Sequence, residues 1–130
     1  MKIATVIARV LLGLVFFVFG LNHFLHFAPA PELEPGNATN FIVALNESGY
    51  FTVVALLKII GGALLLSGFY VPVGLVLLAP VVVNILLYHV FLQTEGIGMA
   101  IVISILTVFL IWRHWRVFKP ILEKKTLQEG

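Results

Sequence analysis

Long runs of sequence without a formal charge constrain this chain more than any other feature. No Asp, Glu, Lys or Arg occurs from 10 to 31, and none occurs in the 36 residues from 59 to 94. About 20 apolar residues in a helix cross a hydrocarbon core of about 30 Å, so the second run is too long for one crossing. The chain is 61% hydrophobic and 11% charged, whereas soluble domains are about 45–50% apolar and about 25% charged. These values predict an all-α integral membrane protein rather than a soluble enzyme or a nucleic-acid binder.

The apolar sequence divides into four predicted spans that form a single transmembrane domain over residues 1–130. Proline, glycine and polar residues mark the connections between the spans. The predicted segments are spans at about 3–27, 50–69, 73–92 and 97–112, a loop at 28–49 and a basic tail at 113–130. Because two of the connections are short, we expect an up-down four-helix bundle.

Two features around the first span need a separate interpretation. Lys2, Arg9 and the small residues at 28–30 resemble a signal peptide, but an h-region is about 7–15 residues long and this run is longer, so we expect a retained span. In the loop, residues 37–40 (NATN) are expected to cap a short helix from Phe41 to about Asn46. Its apolar residues predict a position on the membrane interface or at the mouth of the bundle.

Most Lys and Arg form a basic set at the chain ends, where two Glu also lie, and the other four Glu form an acidic set in the loops. The basic set is Lys2, Arg9, Arg113, Arg116, Lys119, Lys124 and Lys125, and the acidic set is Glu32, Glu34, Glu47 and Glu95. Basic residues concentrate on the cytoplasmic side of membrane proteins. Four spans bring both ends to one side, so we predict cytoplasmic termini and an extracytoplasmic loop at 28–49 in a multi-pass protein of the cell membrane. Trp112 and Trp115 beside the basic tail indicate contact with the lipid bilayer, not nucleic acid.

Small residues recur at helical spacing on three of the spans. The sets are Gly13 with Gly20, Gly61 with Gly68, and Gly96 with Ala100 and Ser104. Since lipid competes with apolar side chains, helices in membranes associate where small residues let backbones approach. These sets therefore predict the contact faces of the spans, and Pro80 predicts a kink in the third.

Two cations lie inside the predicted spans, where an ionisable group requires a reason. Arg9 either extends to the headgroups or fixes a neighbouring helix. Lys58 lies about 10 Å from the outer end of the second span, at about 1.5 Å per residue. It either pairs with Glu47 or Glu95, extends to the interface, or serves a ligand.

Polar side chains from three spans fall at one depth, in the outer third of the predicted bundle. They are Asn22, His23, Lys58 and Asn84 as first candidates for ligand binding, with His26 and His89 as second candidates. Asn84 and His89 lie about 140° apart on a helical wheel, so we expect one of them to face lipid or a partner protein unless Pro80 rotates the helix. Catalytic residues stay unknown, and the lack of Cys and Asp excludes thiol redox chemistry and a Ser-His-Asp triad.

Three ligand chemistries suit this layer of residues. The histidines could hold a metal, completed by Glu95, or ligate a haem between helices. Alternatively, His, Asn and Lys could donate hydrogen bonds to the carbonyls of a quinone. This ligand needs only hydrogen-bond donors at the mouth of an apolar pocket. The cofactor is therefore left unknown, with a quinone favoured over a haem or a metal among these three, and no metal ligand is assigned. The remaining interpretation is that these groups only form hydrogen bonds with backbone carbonyls, water and lipid headgroups at the interface.

The sequence resembles the DoxX family of small membrane proteins over about residues 3–115. The matching segments are 8–16 (ARVLLGLVF), 20–24 (GLNHF), 44–45 (AL), 48–50 (SGY) and 61–68 (GGALLLSG), continued by the apolar stretch to His89. The resemblance implies a four-helix membrane protein linked to quinol oxidation or thiosulfate:quinone oxidoreduction, although most members have no established activity. The charged position before the paired glycines is commonly Glu in the family, and here it is Lys58.

Two functions of different class follow. One is a quinone-linked or other small-molecule-binding redox component, with the question of catalysis open. The other is a non-catalytic partner subunit or assembly factor, whose small-residue faces and aromatic tail bind another membrane protein or a second copy of the chain.

Overall fold

The computed structural model describes residues 2–26 and 34–123, and these residues form helices and turns with no strand among them. The helices are α1 (Lys2–Leu25), α2 (Asn37–Glu47), α3 (Tyr50–Ser67), α4 (Val71–Phe91), α5 (Ile97–Arg113) and α6 (Trp115–Phe118), followed by a 3₁₀ helix, Lys119–Leu122. The predicted all-α class is confirmed. α1, α3, α4 and α5 match the four predicted spans to within about two residues at each end. The cleavage-like residues 28–30 and the tail lysines Lys124 and Lys125 lie outside the described residues.

Within residues 2–26 and 34–123, three or four helices are long and apolar enough to cross a membrane. Each of α1, α3 and α4 meets this description by itself. α5 meets it only when it is counted together with the segment 115–122, from which it is bent by 75°. Each of the four carries large apolar side chains on its outer surface, among them Phe19, Leu56, Val76 and Ile105. An exposed apolar surface of this extent matches lipid rather than water as the surrounding solvent.

The long helices pack in a cyclic order. α1 packs on α3, α3 on α4, α4 on α5, and α5 returns to α1. At the start of α1 and the end of α5, Arg113 Nε donates to Thr5 Oγ1 at 2.9 Å. We call this the basal end; it also holds the end of α3 and the start of α4. The opposite end, with α2 and the 93–96 turn, is the distal end. The buried core lies mainly in the basal half and includes Leu12, Leu65, Leu75 and Leu110.

Close backbone approach between α1 and α3 depends on glycines along the full length of the pair. A Cβ added at Gly13 would lie 2.9 Å from the Gly62 carbonyl oxygen, and one at Gly20 would lie 2.9 Å from the Ala55 carbonyl oxygen. The predicted contact face of α1 is therefore confirmed. On α3, Gly61 faces Leu78 of α4.

Gly68 combines the predicted contact with a second role. A Cβ added there would lie 3.0 Å from Arg9 Nη1 of α1, and its φ of 78°, a left-handed conformation, ends α3. Gly62, which the sequence did not single out, also lies opposite α1. Gly96 has a comparable double role, since its φ of 81° places it at the start of α5 and a Cβ there would lie 3.2 Å from His89 Cε1 of α4. Glycine is favoured at both sites because a Cβ is strained at positive φ.

Arg9 fixes a neighbouring helix. Its Nη1 donates to the carbonyl oxygen of Leu65 at 2.5 Å and to that of Leu66 at 3.3 Å. These carbonyls lie in the last turn of α3, where the helix leaves its acceptors unpaired and its dipole favours a cation. Of the two interpretations of Arg9, the structure shows the one in which it joins α1 to α3.

α2 starts earlier than the sequence predicted. The helix begins at Asn37, Gly36 occupies the N-cap position, and no side chain caps the first turn. Residues 37–40 are therefore part of the helix rather than its cap. The Thr39 hydroxyl instead donates to the carbonyl of Glu34, outside the helix.

Candidate functional site

A cavity of about 440 Å³ lies between α2, α3 and α4 at the distal end. Fourteen residues line it: Phe41, Ile42, Leu45, Tyr50, Phe51, Val54, Leu57, Lys58, Pro80, Val81, Asn84, Ile85, Tyr88 and His89. Most are apolar or aromatic, and a few polar groups are set among them. A concave apolar site of about 300–1,000 Å³ with few polar groups is typical of small-molecule binding sites.

The spacing of the lining residues explains how three helices share one cavity. On α4 they follow the pattern i, i+1, i+4, i+5, i+8 and i+9 from 80 to 89, which is one broad face of a helix. Asn84 and His89 lie at opposite edges of that face, so both line the cavity although they are about 140° apart on the helical wheel. On α2, Phe41, Ile42 and Leu45 form a narrower face of the same kind.

Lys58 is the one residue with a formal charge among the described residues that line the cavity. It is half-buried, and a Cβ added at Gly20 would lie 3.0 Å from the Lys58 Cβ. The base of the side chain is therefore set against the α1–α3 contact. Neither Glu47 nor Glu95 lines the cavity, both are exposed, and no described carboxylate pairs with the ammonium. The predicted ion pair with either acid is not found.

Asn84, on α4, contributes an amide to the lining of the cavity. Its Nδ2 donates to the Pro80 carbonyl oxygen at 2.9 Å, one turn earlier in α4. This bond involves only the amide nitrogen, so the amide oxygen does not take part in it. The bond also holds the side chain along the helix. Asn84 can therefore present an acceptor to a ligand without a change of rotamer.

His89 and Tyr88 are tied to the turn that follows α4. His89 Nδ1 lies 3.1 Å from the Gln93 carbonyl oxygen, and since a carbonyl only accepts, Nδ1 carries the proton. Tyr88 Oη donates to Gln93 Oε1 at 3.5 Å, and its ring meets the His89 ring edge-on at 5.1 Å. These two polar groups are thus largely satisfied by the protein itself.

Aromatic side chains form a wall that the sequence did not predict as part of the site. The rings of Phe41 and Tyr88 stack with their centroids 5.9 Å apart, which joins α2 to α4. Tyr50 and Phe51, at the start of α3, also line the cavity. The signal that could have identified them is the i, i+1, i+4 spacing of apolar and aromatic residues. Both α2 and α3 carry this spacing, which gives each helix one apolar face.

The candidate residues of α1 do not line this cavity. His23 Nε2 lies 3.2 Å from Thr52 Oγ1, so this histidine joins α1 to α3. Asn22 is half-buried, and its backbone carbonyl accepts from the His26 amide at 2.9 Å. His26 follows α1 with φ 52° and is exposed. The structure thus places Lys58, Asn84 and His89 around one cavity, whereas the three candidates at the end of α1 do not line it.

Metal ligands do not come together in the described part of the chain. Within residues 2–26 and 34–123, no group of three His, Cys, Asp or Glu side chains has the proximity that a metal site needs. The histidines are separated, with His23 on Thr52 and His89 on the 93–96 turn.

The interpretation of the cavity depends on the chain's own residues. No family model matches the sequence, and no match was found among curated proteins or among solved structures. Size, lining and charge are therefore the properties from which a ligand can be inferred.

Proposed function

We propose that this chain is a DoxX-like, multi-pass protein of the cell membrane that binds a quinone-type molecule in the distal cavity. In this proposal α1, α3, α4 and α5 form a four-helix bundle, with α5 and the bent segment after it as the fourth span. The observation that carries the proposal is an apolar cavity of about 440 Å³ that contains a lysine with which no described carboxylate pairs.

The proposed orientation follows from the charges at the two ends. Lys2 and Arg113 lie at the basal end with both described chain ends, whereas Glu47 and Glu95 lie at the distal end. Basic residues favour the cytoplasmic side, so the basal end is assigned to the cytoplasm. The chain has no cysteine, so single cysteines added at residue 2 and at residue 128 can be labelled with an impermeant maleimide. Both should react only after the membrane is opened, and reaction of one of them in intact cells would contradict the orientation.

The proposed contacts assign different roles to the polar residues. The Lys58 ammonium donates to a ligand oxygen, and Asn84 offers its amide oxygen to a hydroxyl of the reduced form. His89 lies nearer the 93–96 turn, where it shapes the entrance. The rings of Phe41 and Phe51 contact the ligand ring.

Binding to purified protein tests the proposal. We expect protein in mild detergent to retain or bind a quinone, and we expect Lys58→Met to weaken binding at least about tenfold, which corresponds to about 1.4 kcal/mol. Lys119→Met, on the exposed basal 3₁₀ helix, is the matched control and should bind like wild type. Equal binding by Lys58→Met and wild type would remove Lys58 from the site. An optical spectrum and a metal analysis of the same sample test the haem and metal alternatives.

A non-catalytic partner subunit or assembly factor is the second candidate function. It is favoured by an apolar groove on the outer face of α5, lined by Ser104, Ile105, Val108, Phe109 and Trp112. A helix of another membrane protein, or a second copy of this chain, could pack there. Co-purification of a stoichiometric partner without any bound small molecule would favour this function. A monomer with a bound quinone would count against it.

A further inference from the structure

The charges around the distal cavity limit what kind of ring compound it can bind, if the proposed function holds. Among the described lining residues Lys58 alone is formally charged, and no described carboxylate pairs with the ammonium. A cation in an apolar enclosure is costly unless a counter-charge or water compensates it. The protein provides this counter-charge from none of its described residues.

The neutral polar groups of the lining do not replace the missing counter-charge. Tyr88 and His89 direct their hydrogens to Gln93, and the Asn84 amide nitrogen is bonded to the Pro80 carbonyl. Hydrogen bonds from a cation to neutral acceptors are weaker than those to an anion. The group best suited to Lys58 is therefore an ionised oxygen brought by the ligand.

The other walls of the cavity favour a flat apolar body for that ligand. Phe41, Tyr88, Tyr50 and Phe51 place aromatic rings on three helices around one space. Aromatic side chains prefer stacked or edge-on contacts with another ring. An ionised oxygen attached directly to a ring meets both the charge and the shape of the site.

We infer that the cavity binds its ligand as an aromatic anion: an acidic quinone or phenol whose ionised oxygen pairs with the Lys58 ammonium. The ring lies against the aromatic side chains of α2 and α3. Neutral quinones enter the same cavity, but they lack the charge that Lys58 selects. The inference concerns the same site as the proposed function and rests on it.

Two naphthoquinones that differ in charge test the inference. 2-Hydroxy-1,4-naphthoquinone is an anion at neutral pH, and 2-methyl-1,4-naphthoquinone has the same ring system without a charge. Binding of each to the full chain is measured by calorimetry in mild detergent, with micelle partition measured separately without protein. We expect wild type to bind the anion at least about tenfold more tightly, since one ion pair in a partly dry site readily supplies that ratio.

Variants at Lys58 assign the selectivity to this side chain. Lys58→Met should bind both compounds with similar affinity, Lys58→Arg should keep the preference for the anion, and Lys119→Met should behave like wild type. If Lys58→Met does not fold, the ratio of the two affinities, measured for wild type and for Lys58→Arg, still tests the inference. Equal or tighter binding of the neutral compound by wild type would overturn the inference and leave the proposed function standing. Binding of neither compound would overturn both.

Discussion

The two ends of the α3–α4 pair differ in what separates the helices. At the basal end a Cβ added at Gly74 would lie 3.0 Å from the Gly61 carbonyl oxygen, and Leu78 fills the next layer with no exposed surface. At the distal end the same two helices border a cavity of about 440 Å³, which α2 lines from a third side. One pair of helices thus combines a closely packed segment with an open one.

The difference follows from the residues that face the contact. Glycines at 61 and 74 allow backbone approach at the basal end, whereas the distal faces carry Lys58, Asn84 and aromatic rings. Pro80 lies at the boundary, lines the cavity, and has no amide hydrogen to donate to the preceding turn. Small residues set where membrane helices touch, and their absence from the distal face leaves room for a ligand.

A side chain at Gly61 should produce the largest loss of stability, because the basal contact has no spare volume. In Gly61→Val the new Cβ would lie 2.6 Å from Leu78 Cγ, and we expect the free energy of unfolding to fall by about 3 kcal/mol. Unfolding in mixed detergent and SDS, followed by circular dichroism, measures it. Gly98→Val is the control, since a Cβ there meets nothing within 4 Å. Equal stability of the two variants would show that the basal end is not closely packed.

Removal of the Arg9 guanidinium should have the next largest effect. Arg9→Met leaves the carbonyls of Leu65 and Leu66 without their donor, and hydrogen bonds to charged groups contribute about 1.5–3 kcal/mol. We expect a loss of about 2 kcal/mol in the same unfolding measurement. Lys2→Met, an exposed basic residue of the same helix, should change stability little. A wild-type unfolding curve for Arg9→Met would mean that Arg9 does not hold the end of α3.

Loss of the Phe41 ring should act mainly on α2. Phe41→Ala removes the stacked contact with Tyr88, and aromatic pairs contribute about 0.5–1.5 kcal/mol beyond buried area. We expect a loss of about 1 kcal/mol and faster hydrogen exchange confined to α2. Phe91→Ala is the matched control, because that ring is 77% exposed. Unchanged exchange in α2 would show that the stack does not hold it over the cavity.

Filling the cavity should change stability least. Val54→Leu adds one methylene at a lining position, and we expect a change within about 1 kcal/mol because free volume is present. The same variant should weaken quinone binding, because the added group occupies ligand space. Destabilisation as large as that of Gly61→Val would mean that the distal end is packed like the basal one.

The sequence predicted the long helices well because their determinants are local. Charge-free runs, glycine and proline at the connections, and glycines seven residues apart on α1 are all visible along one segment. The cavity depends on contacts between segments and was predicted only in part. The depth of Lys58, Asn84 and His89 could be counted along each span, and these three do line one cavity. The same count could not show that His23 bonds to Thr52, nor that Phe41 reaches Tyr88, since both depend on how helices rotate about their axes.

The bond between Arg113 and Thr5 joins positions 108 residues apart. It can form only once nearly the whole chain has been synthesised, whereas the Arg9 contacts with α3 need little more than its first half. The first helix therefore acquires its partner α3 early and its partner α5 last. A ribosome-stalled chain long enough for α3 to have left the exit tunnel, but not α5, should already contain the α1–α3 pair, with the face of α1 that later meets α5 still uncovered.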